Sequence, residues 1–157
     1  LIALPTAVTA QNSSPLIWLD CVAVLVFVAA FATESIADEQ QWNFQQEKYK
    51  QRPRRKELAQ DYSQGFLSHG LFAYSRHPNF FGEQILWVAI FLFSVAAIGP
   101  DKGVEAWCNY SGIGAVLLIL LFQGSTRVTE IISCGKYPAY EHYQKKVSML
   151  LPLPPRA

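Results

Sequence analysis

Charge is what this 157-residue chain has least of: Asp, Glu, Lys and Arg together make up only 16% of it, whereas about a quarter is usual for a soluble domain. An excess of either sign is also lacking. Thirteen Lys+Arg stand against twelve Asp+Glu, for a formal net charge of +1, so no bulk electrostatic attraction draws the chain to nucleic acid. Cysteine is sparse. Cys21, Cys108 and Cys134 are odd in number and form no CxxC pair, which indicates neither a disulfide framework nor a metal-ligand set. What fills the space is apolar: 51% of the residues are hydrophobic and 13% aromatic, with a mean hydropathy of +0.14. Such a composition excludes intrinsic disorder and places the chain in lipid.

Three long apolar blocks carry that hydrophobicity. The first runs over residues 16–33, with Asp20 near its start, and its helix extends to residue 50 because no Gly or Pro interrupts the stretch from Glu34 to Lys50. About 18 residues at a rise of about 1.5 Å span nearly the hydrocarbon thickness. The second block covers residues 80–99 and ends at Gly99-Pro100; the third covers residues 110–126 around the apolar run from Ile113 to Phe122. Residues 1–15 read as the tail of a further, partial span or as a linker, because the chain begins at Leu1 with an apolar Leu-Ile-Ala-Leu ahead of Pro5 and lacks the charged start of a signal peptide. Residues 51–79 form a basic loop with a polar motif, and residues 127–157 a polar C-terminal segment. The expected fold is therefore an all-α, multi-span transmembrane helix bundle in one membrane domain, with short interfacial helices.

Seven of the thirteen basic residues lie between the first two spans (Lys48, Lys50, Arg52, Arg54, Arg55, Lys56, Arg76). Five follow the third (Arg127, Lys136, Lys145, Lys146, Arg156), and only Lys102 falls on the other side. Three crossings put both basic regions on one face, which the positive-inside rule makes cytosolic or equivalent. An endoplasmic-reticulum or organelle inner membrane is expected.

The remaining polar residues gather at span ends. Glu34, Asp38, Gln41 and Gln45 fall at i, i+4, i+7 and i+11, a single stripe on a helix leaving the bilayer. Such a stripe is either a wet helix end or a row of acceptors for the ribose or amide groups of a ligand. The segment Gly70 to Glu83 is the densest: Tyr74, Arg76, His77, Asn79 and Glu83 lie within ten positions, with Pro78 suited to a first helical turn. A helix N-terminus there supplies unpaired N–H groups, and Arg76 adds a planar fork matched to phosphate, so an anion site is expected. Glu83, one turn into the span, requires a partner. After the third span come Glu130 and then Tyr137, Tyr140 and Tyr143, three tyrosines expected on a short interfacial helix beginning after Pro138. The run from Leu150 to Pro155 shows no chemistry of its own.

Together, Glu34-Ser-Ile-Ala-Asp38-Glu-Gln40-Gln-Trp-Asn-Phe44, Gly70-Leu-Phe-Ala-Tyr-Ser-Arg-His-Pro-Asn-Phe-Phe-Gly-Glu83, Gly124-Ser-Thr with Glu130, and Lys136-Tyr-Pro-Ala-Tyr140 resemble the steroid 5-alpha-reductase-like C-terminal domain family of membrane proteins, from about Leu16 onward. The wider superfamily includes sterol reductases that use NADPH and isoprenylcysteine methyltransferases that use S-adenosylmethionine. In both, this part of the chain forms the cofactor pocket on the cytosolic side. The resemblance implies that Asp38 and Gln40 border the pocket, that Tyr74, Arg76, His77 and Asn79 contact the cofactor with Glu83 behind them, and that Glu130, Tyr137 and Tyr140 close it. Where the family often places a basic residue after the motif Phe, this chain has Gln45, and the nearest positive charge is Lys48.

The expected function is NADPH-dependent reduction of a lipid or steroid-like enone. A methyltransferase using S-adenosylmethionine in the same pocket, and a non-catalytic membrane subunit packed among other subunits, are the alternatives. Membrane lipid and a lipid-like substrate are the expected partners. The catalytic residues stay unassigned, since in the reductases the groups that polarise the substrate carbonyl come from earlier helices, and nothing before Leu16 supplies them.

Overall fold

The computed structural model describes residues 3–12, 15–49 and 55–156. Lys50, Arg52 and Arg54 of the basic loop lie outside those residues. The described chain is helical, its single bridge of β type being the isolated pair Ser75–Ser148. Three segments are long and apolar enough to cross a membrane: Trp18–Tyr49, Pro78–Ile98 and Val104–Lys136. Only 17%, 33% and 17% of their most apolar windows is buried by the protein itself. Apolar surface left uncovered on that scale requires lipid as its solvent, and the chain is a multi-span membrane protein.

Its elements are α1 (Leu4–Gln11), α2 (Trp18–Tyr49), α3 (Ala59–Gln64), α4 (Pro78–Ile98), α5 (Val104–Trp107), α6 (Ile113–Lys136) and α7 (Tyr140–Lys146), joined by short 3₁₀ turns. The start of α2 is set by Asp20, whose Oδ2 accepts the Ile17 N–H at 2.8 Å and satisfies one of the donors a helix start leaves open. With no Gly or Pro before Tyr49, the helix runs for 32 residues, about 48 Å at about 1.5 Å per residue, well beyond the hydrocarbon thickness of about 30 Å. Proline at the first position opens α4, and Gly99 at φ 102° closes it.

Three sequence expectations shift. Pro5 does not follow a helix tail: it sits in the first turn of α1, where its missing N–H costs nothing, and Leu1 and Ile2 lie outside the described residues. The third span is longer than its apolar core, since α6 continues unbroken to Lys136. Tyr137 precedes the interfacial helix, which begins at Tyr140.

The chain divides into two compact units, one within residues 1–32 and 82–123, the other within 33–81 and 124–157. The first packs Leu19, Val95, Ala96 and Ala106 with Ile17, Phe91 and Ile98 against them. Gly112 lets the Phe91 ring approach, since a Cβ there would come within 2.9 Å of it. The second unit has two apolar clusters. One joins Ala37 and Phe44 of α2 to Leu58, Leu67 and Phe72; the other joins Phe66 to Tyr140, Tyr143 and Val147. The C-terminal segment is part of this unit's framework. Arg76 N–H donates to Ser148 O at 2.9 Å, His77 N–H to Met149 O at 3.1 Å, Leu153 N–H to Tyr74 O at 3.0 Å, and Ser75 Oγ to Leu150 O at 2.7 Å.

Candidate functional site

The motif ahead of α4 lies in the second unit, where the C-terminal segment holds its backbone and α6 supplies the partner for its charges. Arg76 forks onto Glu130, with Nε to Oε1 at 2.5 Å and Nη2 to Oε2 at 3.0 Å. Its Nη1 donates to the carbonyl oxygens of Gln144 (2.8 Å) and Val147. Four of the five guanidinium N–H groups are thus occupied, and both side chains are buried. His77 Nε2 lies 3.2 Å from Glu130 Oε1, its ring stacked on Phe80 at 5.3 Å. Gln144 Nε2 donates to Glu130 Oε2 at 2.9 Å. A carboxylate buried among four donors has its charge compensated by hydrogen bonds as well as by the cation. This corrects the reading of Arg76 as an open phosphate fork: it borders the site, but most of its hydrogen-bonding capacity is taken by Glu130 and by main chain, 54 and more residues away.

Beside this frame is an open cavity of about 340 Å³, lined by Gln41 and Gln45 of α2, by Arg76, His77 and Asn79, by Thr129, Ser133 and Lys136 of α6, and by Phe66, Tyr137, Tyr140 and Tyr143. Drug-sized ligands occupy cavities of about 300–1,000 Å³, and this one falls at the lower end of that range. The walls differ in chemistry. Gln41 and Gln45 provide amides that both donate and accept, whereas Phe66 packs edge-on against Tyr140 at 5.1 Å and tilted against Tyr143 at 5.3 Å. Burial and then the Glu130 charge push the Tyr140 phenol up, and burial followed by Tyr140 does the same to Tyr143, which donates to Phe72 O. Tyr137 moves the other way. Burial would raise its phenol, but hydrogen bonds from Lys48 and Lys136 outweigh that and lower it.

The sequence-derived site residues therefore separate. Arg76, His77, Asn79, Tyr137 and Tyr140 line the cavity, and Glu130 stands behind Arg76 and His77. Asp38 reaches this group through Asn79, whose Nδ2 donates to Asp38 Oδ1 at 3.0 Å. Gln40 turns away from the cavity: its Oε1 accepts the Leu71 N–H at 3.0 Å, and Gly70, at φ 64°, is the residue against which its side chain packs. It braces the turn that carries the motif. Tyr74 is half exposed and holds Leu153 through its carbonyl. Glu83 belongs to the other unit, where its Oε1 accepts Trp87 Nε1–H at 2.7 Å.

Sequence reasoning missed a buried carboxylate outside the cavity. Asp61 is fully buried and accepts Ser68 N–H (3.1 Å) and Ser68 Oγ–H (2.6 Å), with His69 Nδ1 2.7 Å away. A Ser-His pair seven and eight positions downstream was the available signal.

A family model described as protein of unknown function, DUF1295, matches residues 1–147. The chain belongs to the DUF1295 family. An uncharacterized protein of Schizosaccharomyces pombe is 37% identical to this DUF1295 member over 160 residues, a region that covers 97% of the chain and 45% of the relative. The chain thus spans less than half the length of that relative. No solved structure matches it.

Proposed function

We propose that this DUF1295 member is the cofactor-binding part of a membrane-embedded oxidoreductase that uses NADPH to reduce a lipid or steroid-like enone. The observation that carries the reading is the cavity beside the Arg76–Glu130–His77 frame, which joins amide donors and acceptors, aromatic rings and the ammonium of Lys136 on one surface. The motifs' resemblance to the steroid 5-alpha-reductase-like C-terminal domain family supports it. The residues fit an anionic nucleotide. Gln41 and Gln45 can meet ribose hydroxyls or an amide, the rings of Tyr137 and Tyr140 can flank a base, and the ammonium groups of Lys48 and Lys136 attract phosphate. When bound, NADPH would supply the hydride. The work of the chain's own residues is to bind and orient: Glu130 holds Arg76 and His77, which set the backbone of the motif at the start of α4.

S-adenosylmethionine fits less well, because its sulfonium would meet ammonium groups instead of a free carboxylate. One observation favours a non-catalytic subunit: Arg76, His77, Glu130 and Gln144 are satisfied by one another, as a purely structural core would be. Calorimetric titration of the protein in lipid nanodiscs with NADPH, and separately with S-adenosylmethionine, decides among the three. NADPH binding alone is expected; binding of neither would sink the enzyme reading.

A further inference from the structure

The last turn of α2 brings a lysine to a tyrosine 89 positions later in the chain. Lys48 Nζ donates to Gly65 O at 2.6 Å and lies 3.2 Å from Tyr137 Oη. It stands 5.0 Å from the centroid of the Tyr137 ring, and Lys136 Nζ stands 5.2 Å from the same centroid. One phenol is thus flanked by two ammonium groups. Its seat is built by glycine: Gly65 has φ +89°, and a Cβ there would come within 2.5 Å of Tyr137 Cε1. Only a residue without a side chain leaves that space and adopts that backbone without strain.

The two ammonium charges are not neutralised locally. The nearby carboxylate Glu47 is taken by Arg55, with Nε to Oε1 at 3.0 Å, and by the hydroxyl of Tyr62. Glu130 is taken by Arg76, His77 and Gln144. Among the described residues neither Lys48 nor Lys136 enters an ion pair. The phenol responds to this field, burial raising it but the two lysines lowering it further. Tyr137 and Lys136 line the cavity, while the guanidinium of Arg76 is engaged elsewhere.

We propose that Lys48, Tyr137 and Lys136 form a phosphomonoester site at the edge of the cavity, Tyr137 and Lys136 on its wall and Lys48 against the Tyr137 hydroxyl, and that a nucleotide phosphorylated on its ribose is what brings the phosphate. A phosphomonoester carries a charge of about −1.5 to −2 near neutral pH and three acceptor oxygens, which two ammonium groups and one phenolic O–H match in charge and in number. A phosphodiester linkage offers one charge and two free oxygens and matches neither. The phosphomonoester preference rests on the geometry around Tyr137; the identity of its carrier rests on the nucleotide reading above, which the amides of Gln41 and Gln45 on the same cavity favour over a lipid headgroup.

The test uses the full chain in phosphatidylcholine nanodiscs, titrated calorimetrically with NADP+ and with NAD+, which differ only in the ribose phosphomonoester. NADP+ is expected to bind at least about tenfold more tightly, and Lys48→Met and Lys136→Met each to remove most of that preference. Lys136 is exposed, so its variant removes charge without opening a cavity, and Lys48→Arg should retain the preference if Lys48→Met fails to fold. Equal affinity of the wild-type chain for the two nucleotides, or an unchanged preference in both lysine variants, overturns the site and leaves the nucleotide reading standing. If neither nucleotide binds but nanodiscs containing phosphatidylinositol 4-phosphate give a lysine-dependent shift, the nucleotide carrier is overturned and the phosphomonoester site is upheld. Binding of none of these probes overturns both.

Discussion

In the unit within residues 1–32 and 82–123, the polar cluster of buried Ser94 and Ser111 with Asn109 is neutral and local. Ser94 Oγ and Ser111 Oγ lie 2.8 Å apart, and Asn109 Oδ1 accepts the Ser111 N–H at 2.9 Å. Its outward surface is Leu25, Val28, Phe31, Leu120 and Leu121, all exposed. The unit within residues 33–81 and 124–157 is built differently. Its buried polar groups centre on carboxylates with several partners each: Glu130 with Arg76 and His77 from distant parts of the sequence, and Asp61 with Ser68 and His69. The contrast teaches where each kind of interaction can be sustained. A span in hydrocarbon tolerates short hydroxyl and amide pairs within one turn or one hairpin, whereas an ionised cluster requires protein around it to supply every remaining hydrogen bond.

The largest expected effect comes from breaking the ionised cluster at its centre. Glu130→Ala leaves the buried Arg76 and His77 without their common acceptor, and loss of one partner of a buried pair costs about 3–5 kcal/mol. Thermal unfolding in detergent, followed by helicity, should show a large fall in midpoint. A fall no larger than that of an exposed control such as Glu141→Ala would mean that the cluster is held by its main-chain contacts. The complementary break is in the lipid-facing unit. Leu121→Arg places a cation on an exposed apolar face, and a charged residue near the centre of a span costs about 2.5–3.5 kcal/mol on insertion scales. Membrane integration in microsomes, read by glycosylation tags on either side of α6, should fall for Leu121→Arg and stay unchanged for Glu130→Ala. Integration insensitive to Leu121→Arg would remove lipid as the solvent of that face.

The same contrast explains what is legible in the sequence. Spans announce themselves locally: an uninterrupted apolar run, Pro78 to open α4, Gly99 to close it. The family resemblance implies that Arg76, His77, Asn79, Glu130, Tyr137 and Tyr140 gather in one region, and the three-span helical bundle can be read from the residues alone. Pairing across the fold cannot. Arg76 reads as a phosphate fork in isolation because nothing in the sequence says that Glu130, 54 positions later, already fills it. Gln40 reads as a pocket residue because its hydrogen-bond donor, the Leu71 N–H, is main chain and carries no residue-type signal. The C-terminal run from Leu150 to Pro155 reads as inert for the same reason, since the bonds from Ser75 and Leu153 that tie it to the motif involve backbone atoms on at least one side.

The smallest prediction sharpens the comparison most, because it asks whether the neutral cluster carries any stability at all. Ser94→Ala removes the hydroxyl that donates to Phe91 O at 2.7 Å and lies 2.8 Å from Ser111 Oγ. Ser111 keeps Asn109 as a partner, so no buried polar atom is orphaned, and the loss is the worth of one interhelical hydrogen bond in a membrane protein, on average about 0.6 kcal/mol. The van der Waals cost of deleting one oxygen at a fully buried position adds little, since neighbouring Val95 and Phe91 keep their contacts. Measured by the same detergent unfolding, the change should be small and should add to that of Glu130→Ala in the double variant, because the two sites share no partner. An effect as large as that of Glu130→Ala would show that the lipid-facing unit also depends on its polar groups, and that the difference between the two units lies in charge alone.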